Sequence, residues 1–368
     1  MENKKRIIIS SYDDVKNPYY GGGGAVAVNK LANFLSKNYE VLLITGKYRG
    51  SKNEIIEGVK YKRIGSDIFG GKIGHLFYLI TLPFESLKEK CDLWIDSFTP
   101  PFSFSLVPLI KGKNGVVALV HMLSGKDMRR KYKIPFDVVE RFGLKLYKYF
   151  VVLTDSSKKE ILKANPRAKV FIIPNGIDME NRKDLSVKKR HQILFMGRVE
   201  VNQKGLDLLL SAYKKIIKKI DWDLVIAGGG AANELEHLVS LIETNNLNGM
   251  VKLTGHVSGK TKTKLLKESS IVVIPSRFET LSLTALEALA AKTVLCTFDI
   301  EGFKWLPQKF TLKAMKFDVE DMASKIVSIV GDSVRMKKYE EDGYKFVQKY
   351  SWTNIFLKYE SVLKNLIK

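Results

Sequence analysis

The chain has 368 residues, of which 45% are hydrophobic, enough for two ordinary domains that each bury a core. It holds no run of about 18 apolar residues, which argues against a membrane-spanning helix, and its best candidate, PPFSFSLVPLI, is short and broken by Pro108. A net charge of +22 suits nucleic acid, an anionic membrane face or phosphorylated substrates as partners. It equally suits a surface kept soluble by lysine, so charge alone names no partner.

The N-terminus, MENKKRIIISSY, opens directly into a strand with no apolar signal core. The two cysteines, Cys91 and Cys296, are far apart and suggest neither a disulfide framework nor a metal site. A cytosolic protein is the expectation. The first strand, KRIIISSYDD, passes through YYGGGG into a helix whose Val28, Leu31, Ala32 and Leu35 form one buried face. A second strand, YEVLLIT, follows, and then unbroken β-rich runs at DLWIDS, GVVALVHM, YFVVLTDS and KVFIIPNG. Continuous apolar strands alternating with helices imply a parallel sheet covered on both faces.

PNGID then marks a turn, followed by the polar stretch MENRKDLSVKKRH, and the alternation restarts at QILFMGRV. The expectation is an α/β protein of two Rossmann-like, doubly wound domains, residues 1–170 and 171–351, facing across a cleft where such sheets bind ligands. A closing helix over 352–368, with Ile355, Tyr359, Leu363 and Ile367 at helical spacing, is expected to pack back on the first domain.

Five features could carry chemistry. In RFETLSLTALEALA, Glu279 follows a strand and Glu287 lies inside the next helix, so both carboxylates can face one ligand as hydroxyl acceptors. The helix start at Leu281, Ser282 and Leu283 offers backbone N–H groups and a positive dipole end to a phosphate. In FMGRVEVNQKGLD, Arg198 and Lys204 flank a strand end and a helix start and could neutralise a departing diphosphate. YYGGGGAVA formally satisfies a dinucleotide fingerprint through Gly22, Gly24 and Ala27, but no acid stands near Thr45 to hold a ribose, which demotes a dehydrogenase. His121 ends the strand GVVALVHM, the usual place for a site residue. Asp221-Trp222-Asp223 superficially resembles a metal-holding D-x-D yet precedes a strand like a solvated turn.

Taken together, these pieces resemble the retaining glycosyltransferases of family 4, which have the GT-B fold. The resemblance covers nearly the whole chain through the glycine loop, IPNGID, GRVEVNQKG, LVIAGGG, VKLTGHV and, above all, PSRFETLSLTALEALA with its E-x7-E spacing. It implies that Arg198 and Lys204 bind the donor diphosphate, Glu287 the ribose hydroxyls and Glu279 those of the transferred sugar. The backbone at Gly23 and Gly24 would approach the diphosphate from the other domain, with His121 beside the sugar, and closure would assemble the halves. It also implies retained anomeric configuration and no metal or other cofactor. This chain departs from the family by carrying Thr280 and Ser282 where glycine is frequent.

The partners so implied are a nucleotide-diphosphate sugar and a saccharide or lipid-linked saccharide acceptor in cell-envelope or glycan synthesis. The segment SGKDMRRKYKIPFDVVERFGLKLYKYF mixes cations with aromatics and suggests a region that contacts an anionic membrane on its inner face or binds the acceptor, or equally a solvated basic surface. A sugar-nucleotide epimerase or hydrolase is the rival enzyme. A non-catalytic binder of sugar nucleotides or nucleic acid is the other class, and no nucleic-acid motif supports it.

Overall fold

The computed structural model describes residues 4–17, 20–68, 70–99, 104–179 and 187–367. Residues 180–186 of the polar stretch and Tyr19 of the glycine loop lie outside them. The chain divides into two compact units. One runs to Asn175 and takes the chain back from Thr353, and the other is Gly176–Trp352.

The first unit opens with β1 (Arg6–Ser11), α1 (Gly23–Ser36) and β2 (Glu40–Gly46), followed by the hairpin β3 (Glu54–Ile56) and β4 (Val59–Ile64). It continues through α2 (Gly70–Lys88), β5 (Leu93–Ser97), α3 (Val107–Lys111), β6 (Val116–Val120), α4 (Gly125–Tyr132) and α5 (Phe136–Leu144). It ends with β7 (Tyr149–Val152), α6 (Asp155–Ala164) and β8 (Lys169–Ile172). The strands form one sheet in the order β3-β4-β2-β1-β5-β6-β7-β8, parallel except for the antiparallel edge strand β3. Ile7, Ile8 and Ile9 are all fully buried, because a parallel strand is covered on both faces and its apolar run need not alternate. The hairpin is an element that the sequence pattern does not announce. A two-residue turn at Glu57–Gly58, both with positive φ, closes it.

The second unit runs β9 (Arg190–Met196), α7 (Val201–Lys204), α8 (Leu206–Ile216), β10 (Asp223–Ala227), α9 (Ala232–Thr244), β11 (Val251–Gly255) and α10 (Gly259–Glu268). It continues with β12 (Ser269–Ile274), α11 (Leu283–Ala290), β13 (Val294–Phe298), β14 (Thr311–Ala314), α12 (Val319–Val330) and α13 (Ser333–Val347). Its sheet is wholly parallel, ordered β11-β10-β9-β12-β13-β14. The closing helix α14 (Trp352–Lys364) belongs to the first unit from Thr353 onward, with Phe356 stacked on Phe34 of α1 at 4.3 Å. Its Ile355, Tyr359 and Leu363 are buried, while Ile367 lies beyond the helix.

The parallel strands of each sheet reverse their order at one place, between β1 and β5 in the first unit and between β9 and β12 in the second. At such a switch point neighbouring loops leave in opposite directions and open a crevice beyond the carboxyl ends of the strands.

Candidate active site

In the second unit, the switch point holds Lys204 and Glu279. Lys204 Nζ lies 2.7 Å from Glu279 Oε1, and Ser276 Oγ donates to the same oxygen at 2.8 Å. Three contacts bring them together. Arg277 donates its backbone N–H to Gln203 O at 2.9 Å, and its guanidinium grips the Asp207 carboxylate through two bonds of 2.8 and 2.7 Å. Gly205, directly after Lys204, has φ +67°, and a Cβ there would lie 2.0 Å from the Pro275 carbonyl oxygen. Only glycine lets α7 close onto the end of β12. The E-x7-E loop is thus stitched to the loop of the two cations.

Gly302, which sequence reasoning missed, supports Glu279 from behind. A Cβ there would sit 2.1 Å from the Glu279 carbonyl oxygen and 2.7 Å from its carbonyl carbon, both backbone atoms that have little room to yield. Gly302→Ala should therefore displace Glu279, weaken the binding of any ligand that its carboxylate holds at least about tenfold and destabilise the unit by about 1–3 kcal/mol, as overpacking does. Gly331→Ala, where a Cβ meets nothing within 4 Å, is the control. Equal ligand affinity in both variants would show that Glu279 does not depend on this support.

The other expected donor residues are placed less uniformly. The Arg198 side chain is 65% exposed, and its guanidinium pairs with Glu200 at 2.9 Å rather than with the Glu279 carboxylate. Glu287 lies just over one turn into α11, and its Oε1 is 2.7 Å from Lys262 Nζ, a cation of α10 that sequence reasoning did not single out. Leu281 is 8% exposed, so a ligand would meet its backbone. Helix α11 starts at Leu283, not at Leu281, and Ser282 is its N-cap, its Oγ accepting from Ala285 N at 3.3 Å. The expectation of a wholly free helix start is corrected accordingly. The cap satisfies one of the early N–H groups, and those of Leu283 and Thr284 are the ones a helix leaves without an internal acceptor.

In the first unit, the switch point collects Asp13 after β1, Thr99 after β5 and His121 directly after β6. Asp13 was not among the sequence candidates. Its Oδ2 would lie 3.0 Å from a Cβ on Gly24. His121 Cδ2 lies 3.6 Å from that same point, so Asp13, Gly24 and His121 form one group. Gly23 and Gly24 are the first two residues of α1, whose N-cap Gly22 supplies no side-chain acceptor. Their N–H groups face outward as in an anion-binding helix start.

The electrostatics of this group are unusual because no counter-charge relieves its burial. Desolvation raises the Asp13 carboxyl to about 7, with only a smaller opposing effect from Thr99, and desolvation alone lowers His121 to about 4. Both His121 ring nitrogens are buried without a hydrogen-bond partner. At neutral pH the histidine is uncharged, and the carboxyl holds its proton well above the usual carboxylate range. The neighbouring Asp14 has a different task. It is 2% exposed and accepts from Arg63 Nε at 2.8 Å and Thr45 Oγ1 at 2.9 Å, which pins the loop carrying Asp13. Thr45 is thus a buried anchor at the place where a dinucleotide site would need an acid.

Asp223 starts β10 and pairs with Lys252 at 2.5 Å, at the opposite strand end from the loop carrying Arg198. Among the described residues no group of three or more His, Cys, Asp or Glu is placed to hold a metal ion. The two cysteines are both free.

Comparison with known proteins places both halves. Residues 21–181 match the family model described as Glycosyltransferase Family 4, and residues 190–332 match that of Glycosyl transferases group 1. An uncharacterized glycosyltransferase of Methanocaldococcus jannaschii is 32% identical over 168 residues, 41% of this chain and 42% of that protein. The phosphatidyl-myo-inositol mannosyltransferase of Mycolicibacterium smegmatis is 25% identical over 190 residues, 49% and 48% of the two chains. The chain therefore spans about half the length of the curated relatives it matches. Among solved structures, sucrose-phosphate synthase from Thermosynechococcus elongatus superposes with a TM-score of 0.79 at 18% identity, covering 99% of each chain. HepE of Anabaena in complex with UDP and glucose gives 0.76 at 14% identity, covering 98% of this chain and 100% of that one. At these identities the structural likeness shows the fold. Matched on both halves, the chain belongs to glycosyltransferase family 4 and has the GT-B fold.

Proposed function

We propose that the protein transfers a sugar from a nucleotide-diphosphate donor to a saccharide or lipid-linked saccharide acceptor, with retention at the anomeric carbon, in cell-envelope or glycan synthesis. The observation that carries this reading is the Lys204–Glu279–Ser276 group at the switch point of the second unit. A cation beside a carboxylate that keeps a second anchor suits a donor with a diphosphate at one end and sugar hydroxyls at the other. The names of the relatives and the UDP and glucose bound by HepE support the same class.

In this reading the second unit holds the donor. Lys204 and Arg198 meet the charge that gathers on the diphosphate as its bond to the anomeric carbon breaks. Glu287, oriented by Lys262, accepts from the ribose diol, and Glu279 accepts from the hydroxyls of the sugar. In the first unit Asp13 accepts from the attacking hydroxyl of the acceptor, His121 lies beside the sugar, and the amides of Gly23 and Gly24 approach the diphosphate. The acceptor oxygen bonds to the anomeric carbon on the face the diphosphate leaves. Its proton passes to Asp13 or to the departing phosphate oxygen. No step is assigned to a metal, and activity should survive EDTA. Work at an anionic membrane, on its inner face, completes the proposal.

A thermal-shift screen of nucleotide sugars tests it, since a ligand bound only by the folded chain raises the melting temperature. One donor class should stabilise the wild type, and Glu287→Ala should lose that shift. Product analysis should then show a new glycoside only when acceptor is present. Consumption of donor without acceptor dependence would replace the transferase with a hydrolase or epimerase.

A further inference from the structure

We propose that the outer surface of the helical layer α2–α5 is a docking surface for an anionic lipid bilayer. The proposal deepens the membrane-contact part of the function above and holds whether or not a sugar is transferred. Helices α2, α3, α5 and α6 cover the face of the first sheet on which Ile8, Ile44, Trp94 and Ala118 lie, and Tyr147, in the turn after α5, joins the same core. In α2 the inward side is His75, Tyr78, Leu82 and Ser86, all 3% exposed or less.

The opposite side of α2 is where a solvated helix carries its charges. Here it carries Ile73, Leu76, Phe77, Ile80, Phe84 and Leu87, which are 37–66% exposed. At 3.6 residues per turn these six fall within an arc of about 100°, diametrically opposite the buried side. Helix α3, which packs against α2, adds Leu109 at 61% exposed, and α5 adds Val138 and Phe142 at 44% and 67%. Single exposed apolar residues are ordinary, but a continuous stripe on one helix marks a surface made to be covered.

The charges carried by α4 and α5 of the same unit select the cover. Between Lys126 and Lys148 the chain has eight Lys and Arg against three acids. Lys126, Arg129, Arg130 and Lys133 line one open depression, with side-chain exposures of 60% or more for the first three. An anionic headgroup layer supplies the opposite charge to these cations while the acyl boundary takes the apolar stripe. A second copy would bring the same cations against each other in a chain of net charge +22. No helix among the described residues is long and apolar enough to cross a membrane, so the contact proposed is with the surface.

The test is co-sedimentation of the full chain with vesicles of phosphatidylglycerol and phosphatidylcholine in equal parts, and of phosphatidylcholine alone. The wild type should bind the anionic vesicles, less so in high salt, and should leave the neutral ones in the supernatant. Ile80→Glu/Phe84→Glu should reduce partition at least about tenfold, with melting temperature and donor shift unchanged. Arg129→Glu/Arg130→Glu is the second variant, since it breaks only exposed ion pairs with Asp137 and Asp127 and should lower binding to anionic vesicles alone. Absence of wild-type binding, or equal binding by both variants, overturns the proposal. So does a self-association of the free chain that Ile80→Glu/Phe84→Glu abolishes without any vesicle binding. Loss of vesicle binding with the donor shift intact leaves the transferase reading standing.

Discussion

Lys204→Ala should slow sugar transfer by about a hundredfold to a thousandfold, the loss typical of one preorganised group at a developing charge. The geometry makes the expectation stricter than charge alone would. Lys204 is 19% exposed, held by the turn at Gly205, and already aimed at the switch point by its 2.7 Å contact with Glu279. Under the proposed function, Glu279 holds the ammonium where a donor phosphate would draw it. When donor binds, the ammonium can turn to the diphosphate while Ser276 retains the carboxylate. The substitution has a structural consequence too, because it strips an ion-pair partner from a carboxylate only 11% exposed. The double variant Lys204→Ala/Glu279→Gln separates the effects, since it removes the unpaired charge. It should recover the melting temperature and remain inactive. A loss below about tenfold in kcat for Lys204→Ala, about 1.4 kcal/mol, would mean that this lysine does not carry the leaving-group charge.

Legibility in the sequence follows the range of each physical signal. Parallel strands announce themselves by unbroken apolar runs such as KRIII and SSIVVIP, so both sheets can be read from local pattern. Glu279 and Glu287 are readable because a strand, a short loop and a helix place them within eight residues. Helix α11 starts two residues later than the pattern suggests because Ser282 caps the helix rather than entering it. Asp13 stands in plain view in SSYDD, but nothing local separates it from Asp14. Only the fold shows one carboxylate locked by Arg63 and the other left beside His121. The available signal is its position at the carboxyl end of the first strand of a doubly wound domain. Lys262 and Gly302 reach their partners from 25 and 23 residues away, across elements whose packing no window of sequence contains. The exposed stripe of α2 is hidden for the opposite reason. An apolar helix pattern reads as core until both of its faces are seen.

Asp13→Asn should do two things at once, and their combination is the test. Transfer should fall by about a hundredfold to ten-thousandfold if the carboxylate accepts the acceptor's hydroxyl proton, while donor binding in the second unit stays as it was. Stability should move the other way at high pH. The Asp13 carboxyl is raised from 3.8 to about 7, so folded chains hold its proton in a range where unfolded chains have lost it. The associated stability is complete below about pH 4, declines as the pH rises, and is gone above about 7. A carboxyl raised that far sets a ceiling of about 4 kcal/mol on the effect. Asparagine cannot ionise, so the variant should gain on the wild type between pH 4 and 8. His121 must be kept out of the comparison, because its pKa is lowered to about 4 and its contribution is lost as the pH falls below about 6.5. Both proteins retain His121, so the variant-minus-wild-type difference cancels it, whereas the wild-type profile alone mixes the two. A difference in stability that is flat from pH 4 to pH 8 would show that Asp13 is not a desolvated acid. Full activity in the asparagine variant would remove it from the chemistry, and only a gain in stability coupled to a loss of transfer fits a carboxylate kept in a costly place for the reaction.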